Sequence, residues 1–376
     1  MHFLNGDRIY IKPESYCKSV DEQTQNCLQQ LTNIKPEQKL FKLNFFAETN
    51  SKYEYIALLQ KLEVEISKYF SGPVLLSLLA QPPITHKIIV EACFYDPNVW
   101  DLEVFGNCTC GAILFKKNDS SVLIGNVQSY KFPTCKLNSD EAFSELINVF
   151  NDAGFPLNSI VRQWNYIENI LGDNNGRQHY QEFNNVRSGV YGNTFGKKGY
   201  PAATGIGMNQ GGIILEFIAI KSLELVSKPI DNPLQVSAHH YTKDVLAGEN
   251  CMEIEAPKFE RARFLELFNK KLVLISGTAS ILGERTTAVG DPGEQTKITV
   301  ENIKQLYSPK TLNSLTGNSM VPKYGHARVY VKNRKDYSTI KRTFKLYYGN
   351  LPVVYIVADI CREDLLVEIE GRVILE

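Results

Sequence analysis

The strongest constraint on this 376-residue chain is that it passes through one series of elements twice. A helical stretch near Asp140–Ala153 leads to the strand-like VRQWNYIEN (Val161–Asn169), a helical stretch His179–Tyr191, PAATGIG (Pro201–Gly207) and GGIILEFIAIKS (Gly211–Ser222). The series returns as a helical stretch at about Gly293–Leu306, HARVYVKNR (His326–Arg334), Tyr337–Tyr348, PVVYIVADI (Pro352–Ile360) and DLLVEIEGRVIL (Asp364–Leu375). Self-similarity on this scale points to duplication. It sets Glu216 of ILEF against Glu368 of LVEI. In both copies, hairpin strands come first and helix–strand–helix–strand–strand follows. That order predicts an α/β (α+β) fold in which a mixed sheet carries two helices on one face. The expected division is a degenerate N-terminal unit over 1–226 with an irregular, polar extension in its first forty residues. A proline-bearing linker over 227–258 and a second unit over 259–376 complete it.

Composition narrows the function. Forty-one basic residues balance forty-one acidic ones, which removes the electrostatic warrant for nucleic acid or an anionic membrane as the main partner. No apolar run approaches the ~18 residues of a membrane span, and the N-terminus lacks a signal-peptide pattern. Cysteines are placed without CxxC pairs or zinc-type spacing. Cys108 and Cys110 sit two apart on an expected strand and would share a face, without further ligands nearby. A reduced, cytoplasmic protein with no metal and no cofactor is the expectation.

Glu368 lies on a strand otherwise made of Leu365, Leu366, Val367 and Ile369. If that face is enclosed, burial should raise its pKa and suit it to general acid work; if the face is solvated, it is an ordinary surface carboxylate. Cys361, seven residues earlier, reads most simply as a small buried hydrophobe. Arg162 and Arg187 flank the first copy's strand and helix and could fork onto a carboxylate. His239 and His240 are adjacent and would point opposite ways on a strand, so they are not a natural metal pair. The glycines of 283–295 match no phosphate-binding spacing.

LVLISGTAS, ARVYVKNRKDYSTI and DLLVEIEG in the second copy resemble the YjgF-type reactive-intermediate deaminase fold, whose domains usually trimerise. The deaminases' arginine position holds Val353 here. Over 159–376, RQWNYI, YQEFNNVR, PAATGIG, NPLQVSA, FERAR, SGTAS and ADICREDLLVEIEG resemble the chorismatases. That resemblance implies two tandem YjgF-like units and an enzyme that removes the enolpyruvyl group of chorismate as pyruvate. Some members add water and leave a diene diol; others form 3-hydroxybenzoate. It makes Glu368 the acid, and it associates Cys361 and Gly277 with the 3-hydroxybenzoate branch. Arg187, Arg162 and Tyr180 match positions that hold substrate carboxylate. The chain departs from the family pattern at His239, Val245 and Gly248, with Tyr241 and Lys243 nearby as donors. An altered relative binding another aromatic or cyclohexadienyl acid, or a superfamily deaminase, is the alternative. A small-molecule substrate and a monomer or homotrimer are expected.

Overall fold

The computed structural model describes residues 3–4, 6–34, 37–246 and 254–376, so Gly248 lies outside the described residues. The chain opens with β1 (Arg8–Ile11), α1 (Val20–Thr32), β2 (Lys39–Ala47), α2 (Lys52–Tyr69), β3 (Leu75–Leu79) and β4 (Ile88–Tyr95), a sheet of order β1-β4-β2-β3. Next come β5 (Asp101–Gly106), β6 (Gly111–Lys117), β7 (Ser120–Ser129), α3 (Cys135–Asp152), β8 (Ile160–Glu168), α4 (His179–Tyr191), β9 (Ala202–Met208) and β10 (Ile213–Lys221), of order β5-β6-β7-β10-β8-β9. The last sheet starts with β11 (Val226–Ile230), β12 (Ala262–Leu267) and β13 (Lys270–Ala279). A small hairpin, β14 (Ile281–Leu282) and β15 (Arg285–Thr286), precedes α5 (Pro292–Leu306), α6 (Pro309–Thr316), β16 (Pro322–Val331), α7 (Tyr337–Tyr348), β17 (Val353–Val357) and β18 (Val367–Leu375). Its order is β11-β12-β13-β18-β16-β17.

These are mixed sheets with helices, as the fold class anticipates. The repeat count differs. The order β1-β4-β2-β3 is that of β7-β10-β8-β9 and of β13-β18-β16-β17, each with one parallel pair. The chain therefore holds three repeats of one strand order, the first of them inside the segment expected to be part extension. That repeat escapes a sequence reading because β1 has four residues and is completed only by pairing with β4. Its helix α1 carries a narrow apolar stripe of Cys27, Leu28 and Leu31, and is started instead by a capping box between Ser19 and Glu22. Other details shift as well. The expected linker supplies β11 as an edge strand of the third sheet. Helix α3 begins earlier than the expected Asp140, at the cap Thr134, whose hydroxyl accepts from the Leu137 N–H; the Ser139 hydroxyl donates back to the Cys135 carbonyl within the helix. Cys108 and Cys110 sit in the loop between β5 and β6, their thiols facing Glu63 and Glu145 respectively.

The inward faces of the sheets share one apolar core, drawing Phe45 and Leu78 from the first, Phe115 and Trp164 from the second, and Leu272 and Ile356 from the third. Helices α3 and α4 cover the outer face of the second sheet through Phe143 and Phe183, and α5 and α7 cover the third through Ile303 and Phe344. Strand alternation divides β18 accordingly. Val367, Ile369 and Val373 meet the helices, while Glu368 and Glu370 point to the inner side.

Equivalent positions are legible across the three sheets. Ile88–Glu91, Ile213–Glu216 and Leu365–Glu368 end on a glutamate, which pairs with Asn44, Trp164 and Tyr330 of the neighbouring strand. Two residues before those partners stand Lys42, Arg162 and Arg328. Repeats interlock through these groups. Arg328 of the third grips Glu91 of the first at 2.7 and 2.9 Å, and Lys42 of the first reaches Glu216 of the second at 2.9 Å.

Candidate active site

Between the second and third sheets lies a cavity of about 280 Å³. Its floor is Glu368, only 4% exposed. Its walls come from β9 (Ala203, Gly205), β13 (Gly277, Ala279), the start of α4 (Tyr180, Gln181), the loop at Cys361–Glu363, and the 241–246 segment. Small residues make the space. A Cβ at Gly277 would sit 2.1 Å from the Glu368 Oε1, so a side chain here would displace this carboxyl from its place against β13. The ladder between β13 and β18 is irregular at Ile275–Thr278, and the freed Gly277 N–H donates to the Thr204 hydroxyl at 3.0 Å. That irregularity aims the strand's side chains across the cleft.

Burial raises the Glu368 pKa to about 8, helped by the negative charge of Glu370 and only partly opposed by Arg162 and Arg261. Among the described residues, no ion pair reaches Glu368. Burial thus favours the protonated carboxylic acid at neutral pH, and the group faces the cavity. The Cys361 thiol is pushed up to about 12 by burial and by the charge of Glu368, which leaves it neutral and unsuited to nucleophilic attack. Burial also raises the Tyr180 phenol well above its usual range.

Two guanidinium groups stand on the wall. Arg261 donates to the Val236 carbonyl at 2.8 Å and to the Tyr241 hydroxyl, and its Nε is buried without a partner. Arg362 donates to the Glu284 carbonyl at 2.8 Å. The Tyr241 ring lies between them, 5.3 Å from one and 5.4 Å from the other. A small ligand with two carboxylates would meet a fork from each.

Of the residues singled out from sequence, Glu368, Cys361, Tyr180, Gly277, Tyr241 and Val245 come together at this cavity. Arg162, Arg187 and His239 do not line it. Arg162 is turned to Glu370 and Thr204. Arg187 is buried in α4, donating to the Asn184 side chain at 2.6 Å over the Phe183 ring. His239 packs on Tyr200, with its ring nitrogen 3.5 Å from the Phe259 carbonyl. Arg261 and Arg362 lie inside the FERAR and ADICREDLL motifs, yet no spacing in the sequence says that residues a hundred apart meet. Their signal is only that both motifs flank the strands that build the cleft.

Comparison with known proteins bears on this site. The family model described as "Chorismatase FkbO/Hyg5-like, N-terminal" matches residues 102–219. A 3-hydroxybenzoate synthase of Streptomyces hygroscopicus is 32% identical over 243 residues, which are 62% of this chain and 68% of the relative. A chorismatase of the same organism is 31% identical, over 61% of this chain and 65% of its own. A chorismatase crystal structure superposes with a TM-score of 0.70 over 98% of each chain at 22% identity, which establishes the shared fold. With a relative above 30% identical across two thirds of its length, this chain belongs to the chorismatase family.

Proposed function

We propose that this chain cleaves the enolpyruvyl ether of chorismate, releasing pyruvate and 3-hydroxybenzoate, with Glu368 as the general acid. The observation that carries the reading is a buried carboxyl without an ion pair, its pKa raised by burial, at the floor of a cavity whose wall presents Arg261 and Arg362. The names of the family relatives support the same reaction class.

The chemistry follows from the geometry. Arg261 and Arg362 hold the two carboxylates, which places the ether over Glu368. Proton transfer from Glu368 to the enolpyruvyl methylene makes an oxocarbenium carbon and leaves Glu368 as an anion beside it. Attack of the neighbouring ring hydroxyl on the ring carbon breaks the ether C–O bond and expels pyruvate as its keto form; the hydroxyl proton returns to the Glu368 carboxylate, and the resulting epoxide opens and aromatises to 3-hydroxybenzoate. Atoms balance without added water. Cys361 and the apolar rim at Val245 and Leu246 narrow the space for a competing water. Activity should fall as pH rises through about 8, where Glu368 loses its proton.

The test is incubation of the pure protein with chorismate, pyruvate being coupled to lactate dehydrogenase and the aromatic products separated by chromatography. Pyruvate and 3-hydroxybenzoate in equal amounts are expected; pyruvate no higher than in a buffer control overturns the reading. Val245 and Leu246 on the wall favour, as the second reading, a less polar cyclohexadienyl acid. A higher kcat/KM for such an acid than for chorismate would establish it. We further propose a monomer, because three repeats within one chain supply what single units gain by trimerising; light scattering at the mass of three chains would contradict this. Among the described residues, no helix is long and apolar enough to cross a membrane.

A further inference from the structure

Arg162 is the cation that the threefold pattern would deliver to Glu368, and it goes elsewhere. In the first repeat, Glu91 receives the neighbouring repeat's Arg328; in the second, Glu216 receives Lys42. Arg162 occupies the matching position on β8, yet its Nη2 donates to Glu370, two residues beyond Glu368. The residue two beyond the glutamate is Cys93 in the first repeat and Ile218 in the second, neither of which can hold a cation. Glu370 also accepts from the Thr204 hydroxyl, from the Trp164 indole at 2.8 Å, and from Arg328 and Tyr330 at 3.2 Å each. Five donors from β8, β9 and β16 converge on one carboxylate that the other repeats lack.

We propose that Glu370 is a positioning residue whose task is to capture the Arg162 guanidinium, so that Glu368 is left without an ion pair and keeps its proton. This rests on the reading of Glu368 as the acid. The titratable and charged groups that act on Glu368 or share its cavity are Glu370 on its own strand, Arg162 from β8, Tyr330 from β16, Tyr180 from α4, Cys361, Arg362 and Glu363 from the loop before β18, Tyr241, and Arg261 from the segment before β12. Arg261 is already engaged by the Val236 carbonyl and Tyr241. Arg162 is therefore the cation whose release would most directly change Glu368. An opposite charge that arrives within reach of a carboxyl favours its ionised form.

The test does not need turnover. Label the glutamate Cδ carbons with carbon-13, assign Glu368 from its missing signal in Glu368→Gln, and titrate by NMR. In Glu370→Gln the Glu368 midpoint should drop by roughly one pH unit or more, because the Glu370 charge is lost and because Arg162 turns to Glu368. The double variant Glu370→Gln/Arg162→Met, which replaces the buried pair by uncharged groups and so spares the fold, should bring the midpoint back. The alkaline limb of kcat/KM should move in step. An unchanged midpoint in Glu370→Gln overturns the proposal. If that single variant does not fold, Arg162→Met decides: its midpoint should hold or rise, and a fall overturns the idea. Midpoints that shift as described in a protein that releases no pyruvate from chorismate would sustain the capture while overturning the assigned reaction.

Discussion

The cleft between the second and third sheets and the two other repeat junctions are built on the same backbone position and do opposite things with it. At the junction of the third and first repeats, burial alone would raise the Glu91 pKa, but Arg328 and Arg8 outweigh it and hold the carboxyl down at about 2. At the junction of the first and second, Lys42 and Arg328 overcome burial and lower Glu216. In the third case burial prevails, and Glu368 rises to about 8. All three side chains are similarly buried, at 1%, 1% and 4% exposure, so depth does not separate them. Their partners do. An acid with a cation is a staple between repeats; the same acid without one, beside a cavity, is held toward its protonated form, as the role proposed for Glu368 requires. Duplication supplied three interchangeable positions, and the local distribution of cations specialised them.

Substitution of the three glutamates breaks or sharpens this comparison. The largest effect belongs to Glu368→Gln, which should lower pyruvate release by about 10²–10⁴-fold, the usual worth of a general acid. Retained activity above a few per cent would remove Glu368 from that role. Glu91→Gln should do the reverse. It leaves Arg328 and Arg8 facing a neutral amide, so urea unfolding should show a loss of about 3 kcal/mol or more with near-normal activity per folded molecule. Glu216→Gln, which strands a single lysine, should cost less. A catalytic loss in either that exceeds the Glu368→Gln loss would contradict the division into staples and donor.

A pH series separates the same two classes. The Glu368 pKa is raised on folding, so its contribution to stability is intact below the ordinary carboxylate range and is lost as pH rises toward about 8. Glu368→Gln should therefore melt several degrees above the parent at pH 9 and close to it at pH 4, measured by calorimetry. For Glu91 the sign is opposite: its contribution is present above the ordinary range and lost as pH falls toward about 2. Smaller effects test the cavity wall. Arg261→Met and Arg362→Met should each raise KM about tenfold with a lesser change in kcat, whereas Arg187→Met, which does not line the cavity, should have a smaller effect. The smallest effect on rate is expected of Cys361→Ala, which should divert product from 3-hydroxybenzoate toward the diene diol. An unchanged product ratio would reduce the thiol to packing.

Much of this was legible in the residues. The element order of 140–222 and 293–375 follows from periodicity, and the pairing of Glu216 with Glu368 follows from that order alone. Leu365, Val367 and Ile369 around Glu368 were enough to pose the question of an enclosed acid. What escaped was non-local. The first repeat is hidden because a four-residue strand and a mostly polar helix carry little periodic signal until β4 and the core complete them. Arg162 and Arg187 are arginines of the expected type in the expected motifs, yet which anion a guanidinium meets depends on the neighbouring sheet, which a strand's own pattern does not encode.

The opening repeat thus holds for what the sequence by itself determined: an α+β chain of duplicated units, each closing on a strand that ends its apolar run with a glutamate. Local periodicity and strand alternation decide such things, and both are written residue by residue. Only the tertiary structure decided that there are three such glutamates, that two are bound to cations across repeat junctions, and that the third is not. A carboxyl's charge state is set by the dielectric and the charges within a few ångströms, and those come from strands distant in sequence. Arg162 lies 208 positions before the Glu370 that takes it, and Arg328 lies 237 after the Glu91 that it holds.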